Sequence, residues 1–259
     1  MIDIWLLPIG LVNLILLLVA LKIFVNKEEF SKLKIETFVK NIKTQYLYVL
    51  IILGVVVFHL VEVNVIDSNV TKLVGHDYAD TVHIFENNIV YWFSQHWTPF
   101  LVYFFVTMYI AVYPFVLWFA PLYYLLFNKK ESMKKLAYGL LLVYIITLPF
   151  YLFIPVTNVY TYYNIESPLE NVIPSVEQFF YSTTTYNNCL PSLHTAVIIL
   201  VTWSTYYTKN KKLLYFTMFC MVTVITSVLY LAIHWITDVI TGVTIATGVI
   251  LLLKKTMKG

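Results

Sequence analysis

The sequence predicts an all-α, polytopic integral membrane protein with about seven transmembrane helices. Of its 259 residues, 60% are hydrophobic and only 12% charged, where a soluble domain carries about 25% charge. The mean hydropathy is +0.77. The apolar runs are far too long for barrel strands, and lipid admits only helices or closed barrels. Water-soluble, disordered, collagenous and disulfide-scaffold classes are thereby excluded.

Seven stretches have the length of a bilayer crossing, about 17–25 residues or more: 2–25, 46–66, 97–127, 136–156, 191–208, 213–232 and 234–253. The first opens Met1-Ile2-Asp3 with no basic n-region and no small-residue cleavage site, so a retained helix is expected there. Before the second, Ile35, Phe38, Val39 and Ile42 recur at helical spacing among lysines. That pattern suits a helix lying on an anionic leaflet, with a lysine-rich linker as the alternative. The third stretch is overlong and holds Pro114 and Pro121, which predicts a kink, a tilt or an interfacial end.

In the loop before the fifth stretch, Ser167-Pro168-Leu169-Glu170 has the form of a capping box with proline at the first helical position. Leu169, Val172, Ile173, Val176, Phe179 and Phe180 continue it as an apolar stripe, bent at Pro174. Residues 1–66 are expected to form two peripheral helices joined by an inner-face amphipathic linker. Residues 97–253 are expected to form a five-helix catalytic bundle. Cys189 falls in a loop and Cys220 in mid-helix, so no mutual disulfide is expected.

Lysine sets the orientation. All 17 basic residues are lysine, and with the N-terminus outside every one except Lys72 falls on the inner face, as the positive-inside rule requires. The N-terminus and the catalytic mouth are then extracytoplasmic and the C-terminus cytoplasmic. His59, His76, His83, His96, His194 and His234 all map to the outer half. The first four read as polar interfacial anchors, although His59 and Glu62, three residues apart, are weaker candidates to reach the same mouth.

The last two histidines stand in a chemical context. Pro191-Ser192-Leu193-His194 opens the fifth helix, with proline as its expected first residue. A helix N-terminus offers an anion unpaired N–H groups and a partial positive charge, and Ser192 adds a hydroxyl. His234 and Asp238 are four residues apart, stacked on one face at the start of the seventh helix. Ionisable residues inside a membrane are costly and functional by default. A carboxylate on one ring nitrogen fixes the tautomer and frees the other to attack.

On these residues the chain resembles the type 2 phosphatidic acid phosphatase superfamily. The family's second motif, P-S-G-H, is matched by Pro191-Ser192-Leu193-His194. Its third, S-R-x-x-x-x-x-H-x-x-x-D, is matched by Ser227-Val228, five residues, His234, three residues and Asp238. Leu193 and Gly242 look most like the inositol phosphorylceramide synthase-related branch, and the resemblance covers residues 97–253. It implies His234 as a nucleophile forming phosphohistidine, Asp238 orienting it, and His194 as general acid and then base. Ser192 and the helix N-terminus would hold non-bridging oxygens. The implied partner is a membrane phospholipid or lipid phosphate, with no metal, no other cofactor and no nucleic acid; oligomeric state is left open.

Two departures qualify the match. The first motif, K-x-x-x-x-x-x-R-P, has no counterpart where the chain reads Pro155-Val156-Thr157-Asn158, and the third-motif arginine is Val228. Lys72, the remaining histidines, Asn187, Asn188, the Thr183–Thr185 hydroxyls, tyrosines and backbone N–H groups are the candidates to replace the missing cations, with Ser227 a further candidate phosphate ligand. So sparse a cradle suits a monoanionic diester better than a monoester or diphosphate, and head-group transfer better than phosphate release. The alternatives are a lipid phosphatase with water as acceptor, a hydrolytic metal centre on His194, His234 and Asp238, and a non-catalytic lipid-binding or transport protein.

Overall fold

The computed structural model describes residues 6–31, 33–174 and 176–257. The chain opens with α1 (Leu6–Phe24), α2 (Lys27–Ser31) and α3 (Ile35–Val61), which runs through a π-helical turn (Glu62–Ile66) into α4 (Asp67–Val74). Two short helices follow, α5 (Ala79–Glu86) and α6 (Ile89–Ser94). Next come α7 (Pro99–Thr107), a second π-helical turn (Met108–Val112), α8 (Tyr113–Leu126) and α9 (Lys130–Phe153). The outer loop folds as α10 (Val159–Tyr162), α11 (Pro168–Val172) and α12 (Val176–Phe180), before α13 (Leu193–Tyr206), α14 (Lys211–Tyr230) and α15 (Ile236–Thr256). Among the described residues the only strand-like feature is one isolated bridge between Val156 and Asn188. The protein is an all-α membrane protein.

Among the described residues five helical segments are long and apolar enough to cross a membrane: Ile35–Ile66, Pro99–Leu126, Lys130–Phe153, Lys211–Tyr230 and Ile236–Thr256. The segments Gly10–Phe24 and Leu193–Tyr206 are apolar but shorter. At 1.5 Å per residue α13 is about 21 Å long, less than the hydrocarbon core of about 30 Å. It is also well enclosed: Ala196, Ile198, Leu200 and Val201 are buried against α8, α9, α14 and α15. Most of its flanks are protein, not lipid. The outward faces of α3, α14 and α15 carry exposed Leu50, Leu53, Val57, Phe219, Val222 and Leu251, the apolar surface a bilayer covers.

The helical pattern at 35–42 is not a separate surface helix but the opening of α3. Its polar residues have partners inside the bundle, so the helix has no reason to break. Buried Asn41 donates from Nδ2 to the Leu125 carbonyl at 2.8 Å, and buried Gln45 donates to Asn128 Oδ1 at 3.1 Å. In the third stretch, Pro114 lacks an N–H and crowds the carbonyl one turn earlier, and the wide turn at Met108–Val112 lies immediately before it. Ser167 and Pro168 do start α11, yet the capping box does not close. Glu170 instead accepts from the Glu177 amide at 3.3 Å, joining α11 to α12 across Pro174. Cys189 and Cys220 are both free and buried.

One close approach sets the position of the site. A Cβ on Gly242 would lie 2.6 Å from the Ser192 carbonyl oxygen, so α15 and the entry to α13 touch backbone to backbone. Gly242→Ala is expected to push them apart and cost about 1–3 kcal/mol, the range for overpacking. Thermal unfolding in detergent reads that loss directly.

Candidate active site

The starts of α13 and α15 meet at one end of the bundle. The Ser192 amide donates to the Asp238 carbonyl at 2.9 Å. Ser192 is the N-cap of α13, and its hydroxyl accepts from the Thr195 amide at 3.4 Å. Pro191 therefore precedes the helix instead of opening it, because the cap position falls to a residue with an acceptor side chain. The amides of Leu193 and His194 have no partner among the described residues, leaving the first-turn donors that favour an anion.

His234 also lies ahead of its helix. The Val228 carbonyl accepts from both Ile233 (3.0 Å) and His234 (2.9 Å), which turns the chain tightly from α14 into α15. Trp235 is the N-cap, and Asp238, in the first turn, reaches back to accept from the Trp235 amide at 2.8 Å. The same Oδ2 lies 3.1 Å from His234 Nδ1. The pair thus forms across a helix start, not along one helical face.

The contacts continue in a row. His234 Nε2 is 3.4 Å from His194 Nδ1, and His194 Nε2 is 3.0 Å from the Tyr109 hydroxyl. His234, Asp238 and Tyr109 are buried. An ionised carboxylate only accepts, so neutral His234 carries its proton on Nδ1 and presents Nε2 as an acceptor. Neutral His194 then donates from Nδ1, and its Nε2 accepts from Tyr109. Every bond in the row points toward Asp238.

Two residues absent from the sequence argument belong to this arrangement. Tyr109 sits in the second π-helical turn, a distortion frequent at functional sites. Glu86, nearly buried at the end of α5, accepts from the Ile236 amide at 2.9 Å and from the Thr237 amide. A carboxylate at that helix N-terminus is well placed for the macrodipole. The loop that lacks the first motif acts as a brace, its Thr157 carbonyl accepting from Trp235 Nε1 at 2.9 Å, and Tyr151, near the end of α9, donates to the Pro191 carbonyl at 2.8 Å.

The other expected ligands point elsewhere. Asn187 donates to Thr71 Oγ1 (3.2 Å) and Asn188 to Glu62 Oε1 (3.2 Å). Ser227 donates to the Val224 carbonyl within α14. Lys72 is exposed on α4, and no bond among the described residues ties it to the row. Glu62 is fully buried, accepting from Tyr144 (3.3 Å), with His59 Nδ1 at 3.4 Å. His76, His83 and His96 contact Tyr78, Tyr163 and the Trp92 carbonyl respectively.

Just past the Ile35–Ile66 span, burial and then the nearby Glu62 push the Asp67 carboxyl up from 3.8 to about 6. Because that value is raised in the fold, the stability it contributes is full below about pH 4 and lost as pH rises through about 6. Asp67→Asn is expected to raise the melting temperature relative to the parent at pH 8 and not at pH 4. Equal shifts at both pH values would contradict this.

Three donor atoms close enough to share a cation come from Cys189, His234 and Asp238, within 4.8 Å of one another. This is not the His194, His234 and Asp238 set considered from the sequence. Burial holds the Cys189 thiol well above its ordinary value, and the S–H faces the Tyr186 and Ile233 carbonyls at 3.7 and 3.6 Å.

A family model described as the PAP2 superfamily matches residues 79–252. No curated protein and no solved structure gives a match. The matched segment spans Tyr109, His194, His234 and Asp238 and most of the chain, and the protein belongs to the PAP2 superfamily.

Proposed function

We propose that the protein transfers a phosphoryl group from a membrane lipid through a phosphohistidine on His234. PAP2 superfamily membership supports an enzyme of the lipid phosphatase or phosphotransferase type. The observation that carries the finer reading is the row Tyr109–His194–His234–Asp238.

In the first half-reaction His234 Nε2 attacks phosphorus and the bond to the leaving oxygen breaks. His194, carrying a second proton taken up with the anionic substrate, delivers the one on Nδ1 to that oxygen and returns to the neutral ring, its remaining proton on Nε2 facing the Tyr109 hydroxyl. In the second half, His194 takes a proton from the acceptor hydroxyl, whose oxygen attacks phosphorus as the N–P bond breaks. Asp238 holds the Nδ1 proton of His234 throughout. The free amides of Leu193 and His194 face the developing charge. A phosphoryl group seated between attacking and protonating nitrogens holds them about 6 Å apart. The imidazoles, 3.4 Å apart here, must separate to admit it.

Among the described residues the carboxylates of Glu86, Glu62 and Asp77 are bonded to the elements around the row, the last through Thr157, and none of these bonds is to a lysine. That environment favours a monoanionic phosphodiester, and with it head-group transfer of the inositolphosphotransferase kind. The chemistry belongs to the five helices of 97–253, with α1 and α3 flanking. The row lies at the opposite ends of α13 and α15 from Lys209, Lys254 and Lys255, which supports an extracytoplasmic mouth.

The test is to trap the phosphoenzyme from labelled phosphatidylinositol, phosphatidic acid and a polyprenyl diphosphate, and to map the label. Label on His234 with phosphatidylinositol preferred is the expected result. Preference for either of the other donors overturns the diester reading, and inorganic phosphate release without a phosphorylated acceptor identifies water as the acceptor. Tyr109→Phe is expected to lower kcat about tenfold with KM little changed, because His194 loses the hydroxyl at Nε2 that holds its ring with Nδ1 turned to the leaving oxygen. With an activated aryl ester, whose phenolate leaves unprotonated, the loss should disappear. A merely structural tyrosine would depress both substrates alike.

A further inference from the structure

At the other end of the bundle from the catalytic row lies a cavity of about 400 Å³. Its walls come from the end of α1, the α8–α9 turn and the α13–α14 connection. Lys22, Lys129, Lys209, Lys211 and Lys212 line it, against a single acid, Glu29. That acid is engaged in capping α2, accepting from the Asn26 amide at 3.4 Å while its own amide donates to Asn26 Oδ1 at 2.7 Å. No ion pair among the described residues involves any of the five lysines.

The cavity is built, not a chance hollow between mobile chains. Asn210, between three of the lysines, donates from Nδ2 to the Phe24 carbonyl (2.7 Å) and lies 2.8 Å from the Tyr123 hydroxyl. Its Oδ1 accepts from the Leu213 amide as the N-cap of α14. One side chain thereby pins the lysine-bearing loop to α1 and α8. The amides of Lys211 and Lys212, in the first turn of α14, have no partner among the described residues, so helix donors and ammonium groups share one opening.

The positive-inside rule requires lysines on this face but does not gather five around one cavity. Lys135 shows the ordinary disposition, paired with Glu131; of the five cavity lysines Lys209 has a ring contact, 5.2 Å from Tyr206, but no acid partner among the described residues. Phe24 and Val25 give the cavity an apolar side. Basic pockets between transmembrane helices are suited to anionic lipid head-groups. We propose that this cavity binds the phosphate of an anionic lipid in the leaflet opposite the catalytic row. The site is independent of the phosphoryl-transfer reading.

The test compares lipid retention by the purified full chain in native mass spectrometry, with phosphatidylglycerol against phosphatidylcholine. A triple variant, Lys209→Gln with Lys211→Gln and Lys212→Gln, is set beside a control on the same face, Lys34→Gln with Lys40→Gln and Lys43→Gln. The parent and the control should retain phosphatidylglycerol about tenfold better than phosphatidylcholine, and the cavity variant should lose at least fivefold of that preference while melting normally. Displacement by millimolar glycerol phosphate would support phosphate as the recognised group. Equal loss in both triple variants, or no preference in the parent, overturns the proposal. Binding of inorganic phosphate with no lipid retained overturns the lipid as its source.

Discussion

His234→Ala is expected to abolish both turnover and phosphoenzyme formation, lowering kcat by about 10⁴-fold or more, the scale of losing a covalent nucleophile. The fold should survive. The bond from the residue 234 amide to the Val228 carbonyl belongs to the backbone, and α15 begins two residues later. Helicity by circular dichroism should therefore match the parent while phosphoryl transfer from the preferred lipid vanishes. An alanine variant retaining more than about a tenth of parental turnover would remove His234 from the chemistry. It would also favour the lipid-binding or transport alternative.

Asp238→Asn isolates the carboxylate charge from the packing. Asparagine keeps an oxygen that can accept from the Trp235 amide, as Asp238 does at 2.8 Å, so the start of α15 stays capped. Because the same oxygen meets His234 Nδ1 at 3.1 Å, it holds the imidazole tautomer as well, and only the negative charge is lost. The positive charge that the His234 ring gains when Nε2 bonds phosphorus is then uncompensated in a buried site. A loss of about 10²–10³ in kcat is expected, the scale of removing one preorganised electrostatic partner, with KM for the lipid little changed and thermal stability near parental. Phosphoenzyme formation in a rapid-quench experiment should slow by the same factor. A loss confined to KM would show that Asp238 serves binding only.

What the sequence made legible follows from the range of the interactions. Helices 20 and more residues long, with lysines at alternate ends, are written in local composition, and the membrane class follows. His234 and Asp238 are legible because they sit four residues apart, although the helix begins between them and not before them. Pro191 and Ser192 mark the start of α13 within one residue. Tyr109 and Glu86 were not legible: their partners are 85 and 150 residues away, and each sits in an ordinary-looking apolar or mixed segment. Asn187 and Asn188 misled for the same reason, since loop amides beside a motif look like ligands until buried Glu62 and the Thr71 hydroxyl, over a hundred residues earlier, claim them.

A π-helical turn is an α-helix carrying one surplus residue, and the surplus at Met108–Val112 sets the phase of everything before it. Excising a single residue there would restore regular winding and rotate the preceding segment by about 100° relative to α8. Phe105 and Val106, now turned inward, would swing toward the acyl chains, and Phe100 and Tyr103, now outward, would be carried round the axis with them. The phenol of Tyr109 would be carried away from His194, leaving Tyr113 as the tyrosine still packed on that ring. A length change of one residue in this helix is thus a harsher lesion than most substitutions within it, because it moves a whole face and not a single contact.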